Sequence, residues 1–291
     1  MQSADGARLL ADRQRLLRKS LAVSVANDAQ KQAFVTATYT TVTKPGWWSC
    51  DFKDELILSC DAGDPQAKRV IVIIGDSYTE MWSSAFRQLT RELPDVRAHL
   101  FSVGNCGNSL NVTGMFKETV SANGKGAASQ QTRRKQCALM HKLALDYIKT
   151  NRPEQVVFSS HVAGVDTANL VAYVNGAHSF FRQAGKYSGN VTLLGAVPNY
   201  PDPKECFNRD VTNVNQCDIG TSGNISADRV QRELLSGADI NLVDTLPWFC
   251  VDGQCPIFLG DTIAAAAPFH ISRDVALLTA PLLYDALFGN K

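Results

Sequence analysis

The run RVIVIIGDSYTEMW (Arg69 to Trp82) sets Gly75-Asp76-Ser77 between a branched aliphatic stretch and an amphipathic pattern. Val70 to Ile74 suits a strand buried on both faces, and Thr79, Glu80, Met81, Trp82, Phe86 and Leu89 suit the first turns of a helix. Ser77 then falls on a strand-to-helix turn. A hydroxyl there faces the positive end of a helix dipole, which favours the negative charge that develops in acyl transfer. A serine at the same point also serves as a plain helix cap, so a nucleophile requires a base. The chain offers five histidines: His99, His141, His161, His178 and His270. His99 lies within a strand pattern and His141 and His178 within helical patterns, which suits structural roles. His161 closes a strand, where a binding role is open to it together with Ser160. His270, in AAAAPFHISRDVALL, follows a proline-containing loop and precedes an apolar-periodic helix. A base carried there can reach the same rim as Ser77.

The elements that would bring these residues together form an alternating series. Strand patterns cover 69–75, 97–103, 155–160, 191–197 and 240–244, and helical patterns cover 80–93, 130–150, 166–184, 226–236 and 271–288. Strands separated by helices of ten or more residues predict βαβ units and a mainly parallel sheet, with right-handed crossovers that cover both faces. The fold class is therefore α/β, a three-layer sandwich. Ligands of such sheets bind outside the carboxyl ends of the strands. Ser77, Gly104 to Asn108, and Ser160 with His161 all follow strands and share that rim. Residues 104–128 and 198–225 read as long loops, and residues 1–46 as a charged helical extension or linker ahead of a domain at 47–291.

The 291 residues, 45% apolar and 20% charged, suit one large soluble domain. A net charge of +1 gives no reason to expect nucleic acid or an anionic membrane as partner. No apolar run approaches a membrane span, and the N-terminus is charged too early for a signal peptide. Eight cysteines fall as near neighbours: Cys50 and Cys60, Cys206 and Cys217, Cys250 and Cys255, with Cys106 and Cys137 left over. Sequence alone does not fix the connectivity. Local pairing is the simplest, and it implies an oxidising compartment, extracellular or periplasmic. No CxxC or cysteine-histidine spacing suggests a metal, and GNCGNS is not a phosphate loop. No cofactor is implied. Trp47, Trp48, Trp82 and Trp248 are candidates for stacking on sugars.

Six stretches in order carry a resemblance: CDFKDELILSC with RVIVIIGDSYTEMW, LFSVGNCGNSL, QCALMHKLALDYIKTNRPEQVVFSS, VTLLGAVPNYPDPKECF, INLVDTLPWFCVDGQCPIFLGDTI and HISRDVALLTAPLL. Over residues 47 to 290 the chain resembles the SGNH/GDSL hydrolases, specifically the extracytoplasmic SGNH domain fused to bacterial membrane acyltransferase-three proteins. The resemblance implies a flavodoxin-like fold, Ser77 as nucleophile, His270 as general base and Asp76 as a brace of the nucleophile loop. It also implies the N–H groups of Ser77 and Gly104 as oxyanion donors. Such a domain would move an acyl group, acetyl above all, onto a cell-envelope glycan or glycolipid. A membrane acyltransferase domain of the same full-length protein would supply the acyl group, and the soluble piece would be a monomeric fragment of it. A secreted carbohydrate esterase and a catalytically degenerate glycan- or acyl-binding module are the alternatives.

Two positions depart from the family pattern. Members carry an acid three residues before the histidine, where this chain has Ala267; either Asp261 or a backbone carbonyl is left to orient His270. The asparagine of the third block is replaced by Ala163, which leaves Asn105, Asn108, Ser160 or His161 to supply a donor.

Overall fold

The computed structural model describes residues 3–37, 48–53, 56–111, 130–161, 169–209, 213–221, 233, 234, 236 and 238–289. Along these residues run α1 (Ala4–Leu21), α2 (Asp28–Thr36), β1 (Ser49–Phe52), β2 (Leu58–Ala62), β3 (Arg69–Gly75), α3 (Ser77–Met81) and α4 (Ser83–Glu92). There follow β4 (Val96–Ser102), α5 (Gln130–Asn151), β5 (Gln155–Ser159), α6 (Leu170–Gly185), β6 (Asn190–Leu194), α7 (Pro203–Arg209), β7 (Asn241–Val243) and α8 (Arg273–Phe288). Most of the helix pattern at 226–236, the start of that at 166–184, Trp47 and Ala163 lie outside the described residues.

Why the chain folds around β3 follows from its side chains. A strand alternates faces, so Ile71 and Ile73 enter one core while Val70, Val72 and Ile74 enter the other. All five are nearly or wholly buried, and each such side chain contributes roughly 1.5–3 kcal/mol of transfer free energy. The first core is closed by α3, α4, α8 and the N-terminal helices, the second by α5 and α6. The result is a helix–sheet–helix sandwich.

The sheet order is β1-β2-β4-β3-β5-β6-β7. β4, β3, β5, β6 and β7 are parallel, and β1 and β2 add an antiparallel edge. Numbered among themselves, the parallel strands stand 2-1-3-4-5. The order therefore reverses at β3, and sheets of this order take their ligands at the carboxyl ends of the strands beside that reversal. Gly75 closes β3 against β5: a Cβ at this residue would lie 1.7 Å from the Ser159 carbonyl oxygen.

Four disulfides join Cys50–Cys60, Cys106–Cys137, Cys206–Cys217 and Cys250–Cys255. Cys50 and Cys60 face each other across β1 and β2. Cys106–Cys137 ties the segment after β4 to α5. The bridges fit an oxidising, extracytoplasmic compartment. No helix among the described residues is long and apolar enough to cross a membrane.

The charged N-terminal stretch forms two helices, and both dock on the core. Asn27 and Gln30 close a reciprocal capping box at the start of α2. Leu17 is fully buried, and Phe34 meets Phe258 edge-on with ring centres 5.0 Å apart. The expected border at residue 46 lies outside the described residues.

Candidate active site

Asp76 is the hinge of the nucleophile turn. As N-cap of α3, its Oδ1 accepts the Tyr78 N–H at 2.9 Å, and its Oδ2 accepts the His161 N–H at 3.0 Å. One carboxylate thus fixes both the start of α3 and the residues leaving β5. Burial pushes this carboxyl up to about 7, against the pull of the two N–H groups. Thr79 adds a second tie, its hydroxyl donating to the Ser159 carbonyl at 2.8 Å.

Ser77, half-buried, is the first residue of α3, so its N–H has no intrahelical acceptor. Its Oγ lies 2.8 Å from His270 Nε2. His270 comes from a short ribbon in which His270–Ile271 pairs with Ala265–Ala267, His270 opposite Ala267. Pro268 and Phe269 make the turn, with Phe269 at φ 63°, a left-handed conformation rare for a bulky residue. The turn folds the Pro268 carbonyl back to 2.8 Å from His270 Nδ1. A carbonyl only accepts, so Nδ1 carries the proton and Nε2 is left to accept the Ser77 hydroxyl proton. That is the tautomer a general base needs. Immediately after, Ser272 caps α8 by accepting the Val275 N–H at 3.1 Å, and Ser84 of α4 donates to the Arg273 carbonyl at 3.0 Å. The base is therefore anchored to the helix that carries the nucleophile's neighbours.

An aromatic column flanks the pair. The Tyr78 and His161 rings stack at 5.0 Å and 18°, and His161 and Phe269 at 5.8 Å and 25°. The His161 imidazole is held below its ordinary value, first by burial and then by the charge of His270. Phe269 is 45% exposed and offers the column's open end to solvent.

Gly104 and Asn105 stand exposed at the carboxyl end of β4, which is held to β3 by the Val103 N–H on the Gly75 carbonyl at 3.2 Å. Asn105 takes a left-handed φ of 62°. Asn108 is buried. With both ends of its amide satisfied, it donates to the Ile74 carbonyl at 3.2 Å and accepts from the Ser159 N–H at 3.2 Å and the Ser160 hydroxyl at 3.1 Å. It braces β3 to β5, and Ser160 is engaged by it.

Two expectations are corrected. Asp261 does not orient His270: its Oδ1 accepts from the Asn27 side chain at 2.8 Å, binding the α2 cap, while the Pro268 carbonyl holds the imidazole. Trp82 offers no face to a ligand: at the junction of α3 and α4, it is fully buried against Trp248 and Phe249. Trp48 and Trp248 are buried as well. His141 and His178 are held by the Gly107 and Leu234 carbonyls at 3.1 and 2.8 Å. His141 also nears Cys106 Sγ at 3.4 Å, but that sulfur is bonded to Cys137, which leaves no thiolate to ligate a metal. Of the two expected ways to orient His270 the structure has the backbone carbonyl, that of Pro268, which the sequence did not single out; Tyr78 and Phe269 were missed by sequence reasoning. A proline two residues before the histidine was the one available signal for the turn.

Comparison with known proteins places these observations in a family. Residues 49–285 match the profile of the SGNH domain fused to AT3 domains. Comparison with curated protein sequences gives no match. Among solved structures, the periplasmic domain of the Salmonella ser. Paratyphi A lipopolysaccharide acetyltransferase is similar in fold, with a TM-score of 0.56 at 15% identity, over 99% of this chain and 96% of that one. A carbohydrate esterase family 2 enzyme from Corynascus thermopiles (Myceliophthora fergusii) aligns with a TM-score of 0.42 at 12% identity, over 78% and 67% of the two chains. The first likeness is one of fold, over nearly the whole of both chains. With its profile match spanning most of its length, the chain belongs to the SGNH domains of the kind fused to AT3 domains.

Proposed function

We propose that the chain is a serine-dependent O-acyltransferase domain that moves a short acyl group, acetyl above all, onto a cell-envelope glycan or glycolipid. The observation that carries this is the 2.8 Å contact between Ser77 Oγ and His270 Nε2, with His270 Nδ1 engaged by the Pro268 carbonyl. His270 takes the Ser77 proton as Oγ attacks the acyl carbonyl, then gives it to the departing group, which leaves an acyl ester on Ser77. An acceptor hydroxyl repeats the sequence in reverse, losing its proton to His270 and freeing Ser77. Water in the acceptor's place makes the same site an esterase. The N–H groups of Ser77 and Gly104 serve as oxyanion donors, with the Asn105 side chain beside them; the helix start at Ser77 adds its dipole. Asp76 acts as a brace.

Fusion to AT3 domains in the family supports a membrane-embedded acyltransferase partner as the source of the acyl group, with residues 1–46 leading into a domain at 47–291. The disulfides and the likeness to a periplasmic domain support tethering on the extracytoplasmic side. The acceptor reading draws on the lipopolysaccharide acetyltransferase to which the chain is similar, and on Phe269, whose exposed ring beside His270 suits a sugar face.

The test is p-nitrophenyl acetate turnover with intact-mass detection of an acyl adduct, on this chain and on Ser77→Ala and His270→Ala. Turnover and adduct that vanish in both variants support the reading. Equal background in all three proteins overturns it in favour of a binding module.

A further inference from the structure

A second serine, histidine and aspartate are linked on the antiparallel side of the sheet. Ser59 and Asp61 stand two residues apart on β2 and so share one face. His99, on β4, is the cross-strand neighbour of Asp61. His99 Nδ1 lies 2.7 Å from Asp61 Oδ1, and His99 Nε2 lies 3.1 Å from Ser59 Oγ. A carboxylate accepts from Nδ1–H, which leaves Nε2 free to take the Ser59 proton. This is the relay of the Ser77 site with a charged carboxylate where that site has the Pro268 carbonyl. The imidazole is held in plane by Tyr147, stacked at 4.1 Å and 21°, and by Phe101 at 4.4 Å.

All three border one groove of about 530 Å³ between the sheet edge and α5, with Asp61 exposed and Ser59 and His99 buried at its floor. Phe101, Leu143 and Tyr147 form apolar wall. Among the lining carboxylates Asp51 pairs with Lys53 and Asp146 with Lys142, which leaves the Asp61 carboxylate, on His99, as the charge in excess. An excess of negative charge disfavours anionic substrates.

We propose that Ser59, His99 and Asp61 form a second acyl-accepting site, separate from Ser77, that takes small neutral carboxylic esters. Ser59 Oγ attacks the ester carbonyl and gives its proton to His99. The carbon–oxygen bond to the alcohol breaks, and the alcohol leaves with that proton. The acyl group is then held on Ser59 until water, deprotonated by His99, releases it as the carboxylic acid. β2 is hydrogen-bonded on both sides, by β1 and β4. Its backbone therefore supplies no pair of free N–H groups, and Lys53 is the cation within the groove. Loss of one oxyanion donor alone lowers rate roughly 10²–10³-fold, so this site turns over slowly and reveals itself by adduct rather than by steady-state rate.

The experiment uses the Ser77→Ala chain, which removes the first site from the readout. It is treated with a neutral fluorophosphonate ester and separately with p-nitrophenyl acetate, and the adduct is mapped by peptide mass spectrometry. The expected result is a single adduct on Ser59, formed at least tenfold more slowly when Asp61→Asn is added and not at all with His99→Gln. The Asp61 side chain is 59% exposed, so Asp61→Asn keeps the fold, which a thermal melt verifies. Absence of an adduct on Ser59, or an unchanged labelling rate in folded Asp61→Asn, overturns the proposal and leaves the Ser77 reading untouched.

Discussion

Ala267→Asp separates two roles that a triad acid ordinarily combines. One is to select the tautomer of the histidine and the other is to stabilise the imidazolium with a negative charge. Ala267 faces His270 across the short ribbon and is half-buried, so a carboxylate grown there is in place to compete for Nδ1. The Pro268 carbonyl already holds that nitrogen at 2.8 Å and already selects the tautomer. The variant therefore gains only the difference between a neutral and a charge-assisted hydrogen bond. Net contributions of about 1 kcal/mol for the former and roughly 2–2.5 kcal/mol for the latter leave about 1–1.5 kcal/mol. That converts to a roughly five- to twelvefold rise in kcat/KM. The assay is steady-state p-nitrophenyl acetate hydrolysis, with Ala267→Asp in the Ser77→Ala background to subtract non-enzymatic turnover. A gain on the order of 10³ or more would refute the reasoning, because it would mean that the carbonyl does not hold the tautomer. No gain would refute it as well, because a carboxylate opposite His270 would then be unable to replace the carbonyl.

Three further outcomes follow from the geometry. Gly75→Ala drives a methyl against the Ser159 carbonyl, a backbone atom of the neighbouring strand; urea unfolding is expected to register a loss of about 3 kcal/mol, together with lower kcat from the displaced Ser77 turn. The buried His141 imidazole is pushed down to about 4 by desolvation, so between that value and the unfolded pKa of 6.5 the unfolded chain binds the extra proton. Its contribution is present above the unfolded value and is lost as pH falls towards 4, by roughly 3 kcal/mol; the stability gap between the chain and His141→Gln should shrink by that amount from pH 7 to pH 4. Taking the gap between variants cancels Asp76, whose raised pKa acts in the opposite sense. Replacing both Cys106 and Cys137 by serine frees a span of 31 residues, worth roughly 4 kcal/mol in the chain-entropy account; a change in urea midpoint that leaves stability within 1 kcal/mol or so would assign the bridge a local role only.

The parts legible in the sequence are those whose signal is local and chemical. The run from Val70 to Ile74 must be a doubly buried strand, and its end at Gly75 puts Ser77 on the rim before any partner is known. The structure gives that strand as Arg69–Gly75. The parallel strands and α5 and α8 were readable for the same reason, since period and length decide them. The antiparallel edge was not. β1 and β2 are short, and the charged stretch around Asp51 and Lys53 hides their alternation; their pairing depends on a hairpin and a disulfide rather than on periodicity. Trp82 reads as a candidate for stacking on a sugar because an aromatic beside a nucleophile invites it. At the junction of α3 and α4 it instead packs edge-on against Trp248, inside the core.

The acid of the site was the hardest part to read, for a physical reason. A side chain announces itself in a sequence, whereas every residue carries a carbonyl. Asp261 drew attention as the nearest acid before the histidine, yet its carboxylate is committed to Asn27 and the docking of α2. What replaces the acid is a turn: Phe269 accepts a left-handed backbone, and the Pro268 carbonyl is thereby aimed at Nδ1. Strain of that kind costs on the order of 1–3 kcal/mol, and here it coincides with the one contact that the missing aspartate would have made. Phe269 is also where the aromatic column meets solvent. A single strained residue therefore sets the base and carries the exposed ring that the proposed function assigns to the acceptor. Relaxing it with Phe269→Gly should free the turn, loosen the orientation of His270 and remove the platform together, so that kcat falls and KM for a sugar acceptor rises. A variant that changes neither would show that the strain at Phe269 is unrelated to catalysis.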